Sequence, residues 1–272
     1  MTPRPLRVGS VPYLVGRPLD LGLEQEPGIE LVRDIPARLV EGLRSGELDV
    51  ALVSSIELFR RPGYRFLPGL AVSGRGTVAS VQVFLRKPLS ELQTLALDPS
   101  SRTAATLVQV LLARRPEGAP RFVEVPAGDD PREAGCDGWL RIGDPALREL
   151  WVDEPPKFWN PSREWTETTG LPFVFAPWIV APGVDIEPHL AAFARSRLVG
   201  ERALGELALR AADDWQLPRH LCTSYLAEEC VYEPGPDMRA ALRAFRDGAA
   251  PLGLCEADLD PAPVEAFRAH LA

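Results

Sequence analysis

The feature that most constrains the fold is a short apolar strand that runs straight into a helix, with hydroxyl side chains at the junction. This segment is ALDPSSRTAATLVQVLL, Ala96 to Leu112. Ser100 or Ser101 can cap the helix, so the free N–H groups of its first turn and its positive dipole end converge with Arg102. The junction therefore predicts a site for a carboxylate or phosphate. An ordinary capped helix with a solvated arginine would give the same residues, because serine is a common cap.

A second junction of this kind lies earlier in the chain. Asp49–Val53 has the continuous apolar pattern of a strand that is buried on both faces in a parallel sheet. It leads to Ser54 and Ser55 at the beginning of a helical turn. Strands and helices alternate around both junctions, which predicts two α/β units.

The pattern of strands and helices predicts how the units are joined. The predicted strands are Leu6–Ser10, Ile29–Asp34, Asp49–Val53, Tyr64–Val72, Ser80–Leu85, Thr94–Leu97, Arg121–Val125, Asp137–Ile142 and Leu171–Ala181. The predicted helices outside the Ala96–Leu112 segment include Pro18–Glu26, Pro36–Ser45, His189–Val199, Glu201–Trp215 and Pro236–Asp247. We expect a two-lobed α/β protein with two strand crossovers, residues 1–86 and 182–272 forming the first lobe and residues 87–181 the second. The ligand would lie in the cleft between the lobes, which close by a hinge motion.

Composition and charge limit the kinds of partner. The chain has 46% apolar and 25% charged residues, as in an ordinary globular protein. No apolar run approaches the roughly 18 residues of a membrane span. The net charge of −8 argues against non-specific nucleic-acid binding, so local groups must hold an anion. The first residues lack the apolar segment of a secretory signal, which favours a cytoplasmic location. The oligomeric state is left open.

The sequence contains no recognisable cofactor or metal motif. The four cysteines include no C-x-x-C pair and no histidine at metal-ligand spacing, so we expect no metal. The segment from Gly74 to Ala79 reads G-x-G-x-x-A, but it leads into a strand and not into the helix that a dinucleotide-binding loop requires. All three histidines lie after residue 188, outside any catalytic arrangement.

Asp144 follows the predicted strand Asp137–Ile142, at the end of a strand where open α/β folds place ligands. An aspartate before Pro145 is equally expected as a helix N-cap. The residues alone do not decide between these roles.

Five motifs taken together resemble the chorismate dehydratases of the futalosine route to menaquinone. They extend over most of residues 6–180 and are specific as a set, although each motif alone is weak. They are SVPYL at Ser10–Leu14, DVALVSSIE at Asp49–Glu57, ALDPSSRTAATL at Ala96–Leu107, IGDPAL at Ile142–Leu147 and TGLPFVFAPW at Thr169–Trp178. The resemblance implies a type II periplasmic-binding-protein fold that serves as a cytoplasmic enzyme.

The resemblance also implies a reaction, in which chorismate loses water to give 3-[(1-carboxyvinyl)oxy]benzoate. The two carboxylates of chorismate match the predicted anion site, and the elimination requires no redox cofactor or metal. Carried over residue by residue, the family pattern implies a site with Ser80 and Asp144 as catalytic residues and Tyr13, Ser54, Ser55, Ser101, Arg102 and Thr103 as substrate-binding residues. A serine that only satisfies the backbone at a strand start is the alternative for Ser80.

One position departs from the family pattern. Where many relatives read SVPYLN, this chain has Val15, which cannot hydrogen-bond the leaving hydroxyl. Either the role passes to a neighbour such as Tyr13 or Arg17, or the activity differs. With no histidine before His189, the base would be a carboxylate or the substrate's own enolpyruvyl carboxylate.

Two other functions stay open. A solute-binding protein for a small carboxylate would have the same fold, but it needs an export signal or a lipidation cysteine, and the first residues show neither. The sister enzyme of the same pathway acts on a cyclic futalosine derivative and is thought to use a histidine base in its second lobe. Residues 88–180 of this chain contain no histidine.

Overall fold

The computed structural model describes residues 4–271, which form two mixed β-sheets with helices packed around them. The strands are β1 (Leu6–Ser10), β2 (Ile29–Arg33), β3 (Val50–Leu52), β4 (Arg65–Gly74), β5 (Val81–Leu85), β6 (Thr94–Leu97), β7 (Arg121–Glu124), β8 (Gly138–Ile142), β9 (Lys157–Trp159), β10 (Phe173–Val180), β11 (Cys230–Val231) and β12 (Ala262–Pro263). The α-helices are α1 (Arg17–Asp20), α2 (Pro36–Ser45), α3 (Thr103–Leu112), α4 (Gly143–Leu150), α5 (Pro161–Thr169), α6 (Leu190–Trp215), α7 (Arg219–Ser224) and α8 (Asp237–Ala249). A single π-helical turn, Tyr225–Glu229, follows α7.

The first sheet has the strand order β11-β4-β10-β3-β1-β2, with β12 paired to β4. β1 lies parallel to β2 and β3, whereas β10 runs antiparallel to β3 and β4. The three residues of β3 are fully buried, as its continuous apolar pattern predicts. The parallel arrangement brings the ends of β1 and β3 to the same edge of the sheet, where their loops face the second sheet.

The second sheet has the strand order β7-β6-β8-β5-β9. β6 lies parallel to β7 and β8, and β5 runs antiparallel to β8 and β9. The ends of β6 and β8 therefore lie together, and each is followed by a helix, α3 and α4 respectively. This edge carries the second set of loops that face the cleft.

The chain passes between the two sheets twice, as expected, but the strands at the crossings belong to different sheets than the predicted lobe boundaries imply. β5 pairs within the second sheet and β10 within the first. Boundaries at residues 86 and 181 assign each of these strands to the opposite lobe, because local periodicity locates a strand without identifying its partner. Sheet membership favours a division near residues 75–80 and 170–172.

The C-terminal part is helical, but α6 is one continuous helix where the sequence predicted two helices separated at Gly200. A Cβ atom at this position would lie 1.8 Å from the carbonyl oxygen of Pro18. The glycine therefore allows α6 to contact α1 closely and does not end the helix. None of the helices within residues 4–271 has an apolar stretch long enough to cross a bilayer.

Candidate active site

A cavity lies between the two sheets, with about 590 Å³ of empty space including its mouth. Its first-lobe lining is Val11, Tyr13, Val15, Pro36, Ser54, Val72, Phe175 and Ala176. Its lining from the crossover and the second lobe is Val78, Ser80, Val81, Ser101, Arg102, Thr103, Ala104, Ile142 and Gly143. Six of the eight predicted site residues therefore line one cavity, and most of the remaining lining is apolar.

The strand-to-helix junction within Ala96–Leu112 forms one side of the cavity. α3 begins at Thr103, and the Ser101 hydroxyl accepts a hydrogen bond from the Ala105 N–H group at 3.3 Å. The N–H groups of Thr103 and Ala104 precede the first intrahelical bonds, so they can donate to a ligand. Arg102 is exposed, and its guanidinium makes no hydrogen bond or ion pair within residues 4–271. These groups form a site with donors and positive charge for an anion.

Ser100, the other predicted cap, does not cap the helix. Its N–H group and its hydroxyl both donate to the Asp98 carboxylate. The second oxygen of Asp98 accepts from the N–H group of Ile142 at 3.1 Å. Asp98 thus joins the loop before α3 to the loop before α4, and it is a site-forming residue that sequence reasoning missed. The bond to Ile142 spans 44 residues, so no local pattern indicates it.

Asp144 contacts the first lobe. Its Oδ1 accepts a hydrogen bond from the Leu14 N–H group at 3.0 Å. The N-cap of α4 is Ile142 and Asp144 lies inside the first turn of the helix, so the N-cap interpretation of Asp144 is wrong. Burial raises the pKa of Asp144 to about 6, although the bond from Leu14 and the charge of Arg148 oppose this shift. Asp144 lies beside the cavity and does not line it.

Tyr13 and Gly143 complete this contact between the lobes. Gly143 has a φ of +65°, and a Cβ atom there would lie 2.7 Å from the Tyr13 ring. Only glycine suits such a position. On the other side of the cleft, the Thr103 hydroxyl accepts from the Ile56 N–H group at 3.4 Å. The two lobes therefore touch around the cavity, which is a closed arrangement.

The two serines after β3 have different environments. Ser54 lines the cavity. Ser55 is fully buried outside the lining, and its hydroxyl has no hydrogen-bond partner within residues 4–271. The structure thus places only Ser54 where it could contact a ligand in this arrangement.

Ser80 lies immediately before β5, which begins one residue later than predicted. It is buried, lines the cavity, and its carbonyl oxygen accepts from the Gly143 N–H group at 2.8 Å. This bond places Ser80 at the same end of the cavity as Gly143 and Asp144.

Val15 also lines the cavity, so the position that departs from the family pattern is part of the site. Of the two neighbours that could replace its function, Arg17 pairs with Asp20 at 3.2 Å and lies outside the lining. Tyr13 lines the cavity, and its half-buried phenol has a raised pKa because of burial. Tyr13 is therefore the better placed of the two.

Comparison of the whole structure with solved structures supports the predicted fold. The chain is similar to the alkanesulfonate-binding protein SsuA from Xanthomonas axonopodis pv. citri, with a TM-score of 0.66 and 17% sequence identity. The match covers 96% of this chain and 97% of that one. At this identity the likeness shows the fold alone, and the predicted periplasmic-binding-protein-like fold is confirmed.

Proteins of similar sequence indicate the family to which this chain belongs. A protein described as chorismate dehydratase from Thermus thermophilus is 33% identical over 191 residues, which cover 64% of this chain and 69% of that protein. A second chorismate dehydratase, from Campylobacter jejuni, is 29% identical over 175 residues, covering 62% of this chain and 64% of that protein. The chain thus matches about two thirds of the length of each relative.

The model of one protein family, described as menaquinone biosynthesis, matches residues 6–251. This range includes both sheets, apart from β12, and every residue that lines the cavity. The predicted relationship is therefore confirmed, and the chain belongs to the menaquinone biosynthesis family.

Proposed function

We propose that this protein is a chorismate dehydratase of the cytoplasm, which removes water from chorismate to give 3-[(1-carboxyvinyl)oxy]benzoate. Two relatives carry this activity in their names, and the chain belongs to the menaquinone biosynthesis family. The observation that carries the proposal is the interlobe cavity, which is apolar except for a few hydroxyls, one arginine and a helix N-terminus. These features suit a compact ring that bears carboxylates.

Electrostatic attraction would hold the substrate in the cavity. Chorismate has two carboxylates, and Arg102 with the free N–H groups of α3 would hold one of them. The apolar side chains, among them Val15, Val72 and Phe175, would contact the ring. Closure of the lobes then removes water from the cleft, which strengthens the remaining polar contacts.

The reaction breaks the C3–H bond and the C4–O bond, and the ring becomes aromatic. Negative charge develops toward the ring carboxylate as the C3 proton leaves, so donors at the anion site stabilise the transition state. Ser80 would donate a hydrogen bond to the departing C4 oxygen, which receives the proton removed from C3 by way of the substrate's enolpyruvyl carboxyl group and leaves as water. Stabilisation of the leaving group is thus assigned to Ser80, a side chain that lines the cavity.

We assign the proton acceptor to a carboxylate, since none of the described residues that line the cavity is a histidine. Asp144 lies beside the cavity, with one oxygen bonded to the Leu14 N–H group in the closed form. We therefore propose that Asp144 mainly holds the lobes closed and that the enolpyruvyl carboxylate of the substrate accepts the C3 proton. Ser54, Ser101, Thr103 and Tyr13 would orient the substrate, whereas Ser55 lies outside the cavity lining and is assigned no contact with the substrate.

The test is incubation of the purified protein with chorismate, followed by chromatography and NMR identification of the product. Formation of the enolpyruvyl benzoate in proportion to enzyme concentration is the expected result. Saturable binding of chorismate without turnover would refute the proposal and favour a solute-binding protein. Turnover of the cyclic futalosine derivative, with chorismate unchanged, would refute it in favour of the sister enzyme.

A further inference from the structure

A buried tyrosine from the C-terminal part of the chain lies near the cleft serine. Tyr225 is fully buried, and its phenolic oxygen has no hydrogen-bond partner of ordinary geometry within residues 4–271. Two side chains lie near that oxygen: burial raises the pKa of Tyr225, the Cys230 thiol adds to this rise and the Ser80 hydroxyl opposes it. Since buried hydroxyls are nearly always paired, an unpaired one beside a cavity-lining hydroxyl requires an explanation.

The segment that carries Tyr225 is fastened to the crossover that leads to Ser80. Tyr225–Glu229 is the π-helical turn, a rare geometry that often occurs at functional sites. The Glu229 carboxylate accepts a hydrogen bond from the N–H group of Ala79 at 2.6 Å. Cys230, the next residue, pairs with Gly74 at the end of β4. The turn therefore fixes the crossover that delivers Ser80 to the cleft.

The Tyr225 ring is also held against the second lobe. Trp151, which ends α4, packs edge-on against it with ring centroids 6.1 Å apart. α4 begins at Gly143, whose N–H group donates to the Ser80 carbonyl oxygen. The phenol is thus located by the same elements that locate Ser80, and the two side chains share one buried region next to the cleft.

We propose that Tyr225 is a positioning residue, whose phenol donates a hydrogen bond to the Ser80 oxygen and thereby directs the hydrogen of Ser80 into the cleft. This rests on the proposed dehydratase function. A serine hydroxyl rotates freely unless a donor occupies its oxygen, and it has only one hydrogen to give. With Tyr225 as donor, the Ser80 hydrogen points toward the departing C4 oxygen before the substrate arrives. No proton leaves Tyr225 in this role, because its burial keeps the phenol protonated.

The test is Tyr225→Phe, which removes one oxygen atom and preserves the ring. We expect kcat for chorismate to fall about tenfold, the effect of losing one hydrogen bond, while KM stays within about twofold of wild type. The midpoint of thermal unfolding should change little, because the substitution removes one hydrogen bond together with the cost of burying a polar oxygen. Adding Tyr225→Phe to Ser80→Ala should lower kcat no further, because the phenol acts only through Ser80.

Tyr232→Phe is the matched control. Its phenolic oxygen is also buried and unpaired within residues 4–271, and it lies by the Cys230 thiol, as the Tyr225 oxygen also does, but it does not adjoin Ser80. This variant should keep kcat within about twofold of wild type, because it leaves the Tyr225 hydroxyl in place.

Three results would overturn the assignment of Tyr225 while leaving the proposed function intact. They are a wild-type kcat in Tyr225→Phe, an equal loss in Tyr232→Phe, and a loss that adds fully to that of Ser80→Ala. A wild-type protein that does not convert chorismate would overturn the proposed function and this assignment with it.

Discussion

Arg102→Ala is the substitution whose effect on substrate binding follows most directly from the structure. The side chain is exposed and makes no hydrogen bond or ion pair within residues 4–271. Its removal therefore breaks no contact in the folded chain, and the free energy of unfolding should change by no more than about 0.5 kcal/mol. Any kinetic effect then reports the contact with the substrate.

The size of that effect follows from the contact that Arg102 would make. A hydrogen bond between a guanidinium and a carboxylate contributes about 1.5–3 kcal/mol. At about 1.4 kcal/mol for each factor of ten, KM for chorismate should rise about 10- to 150-fold. kcat should fall by a much smaller factor than KM rises, because most of the carboxylate charge is already present in the ground state and only the charge that develops later strengthens the contact.

The assay is steady-state formation of the enolpyruvyl benzoate from chorismate. Arg121→Ala is the matched control, because Arg121 is an exposed arginine at the start of β7 that lies outside the cavity lining and gives the same change in net charge. It should leave KM within about twofold of wild type. An unchanged KM in Arg102→Ala, or an equal rise in Arg121→Ala, would show that Arg102 does not bind the substrate.

Three further substitutions test other parts of the site. Ser80→Ala should cut kcat about 100-fold or more at nearly constant KM and unfolding temperature; turnover at the wild-type rate would make this hydroxyl purely structural. Asp144→Asn should change the pH dependence of stability, because the folded pKa of Asp144, about 6, lies above its unfolded value. Between pH 4 and pH 7 the free energy of unfolding of wild type should fall by about 2–3 kcal/mol relative to that of the variant. If urea unfolding shows the same pH dependence in both proteins, the prediction is wrong. Gly143→Ala should lower kcat/KM and stability more than Gly170→Ala, since both glycines have positive φ but only Gly143 lies against Tyr13; equal losses would remove the ring contact as the cause.

The sequence predicted the parts of the fold that depend on local periodicity. The strand Thr94–Leu97 and the helix that follows it are where the apolar pattern placed them. Short elements in the polar stretch after Trp151 were not predicted, because β9 has only three residues and α5 begins with two turns of mostly polar side chains. The break predicted in α6 failed for a tertiary reason, the contact of Gly200 with Pro18.

A site residue could be predicted from the sequence where its type and its position in a strand or helix were enough to indicate its role. The hydroxyls and the arginine at the start of α3 satisfy that condition. The contact of Asp144 with Leu14 does not, because 130 residues separate the two along the chain. Tyr225 gives no sequence pattern at all, since a tyrosine in a helical region is an ordinary core residue. Its importance arises from the elements that pack around it.

Val15 shows how the polar groups of the site are divided between the lobes. Because this valine lines the cavity, the first lobe offers a mainly apolar surface there, with Tyr13 and Ser54 as its polar side chains. The other polar groups, at Ser80 and at the start of α3, come from the crossover and the second lobe. On the proposed function, the substrate would bind the second lobe first, and closure would then bring the apolar surface over the ring and exclude water. A hydrogen bond from Ser80 strengthens in that environment. Valine at position 15 is therefore compatible with the proposed function if the Ser80 hydrogen is already directed at the leaving oxygen, which is the role that we assign to Tyr225.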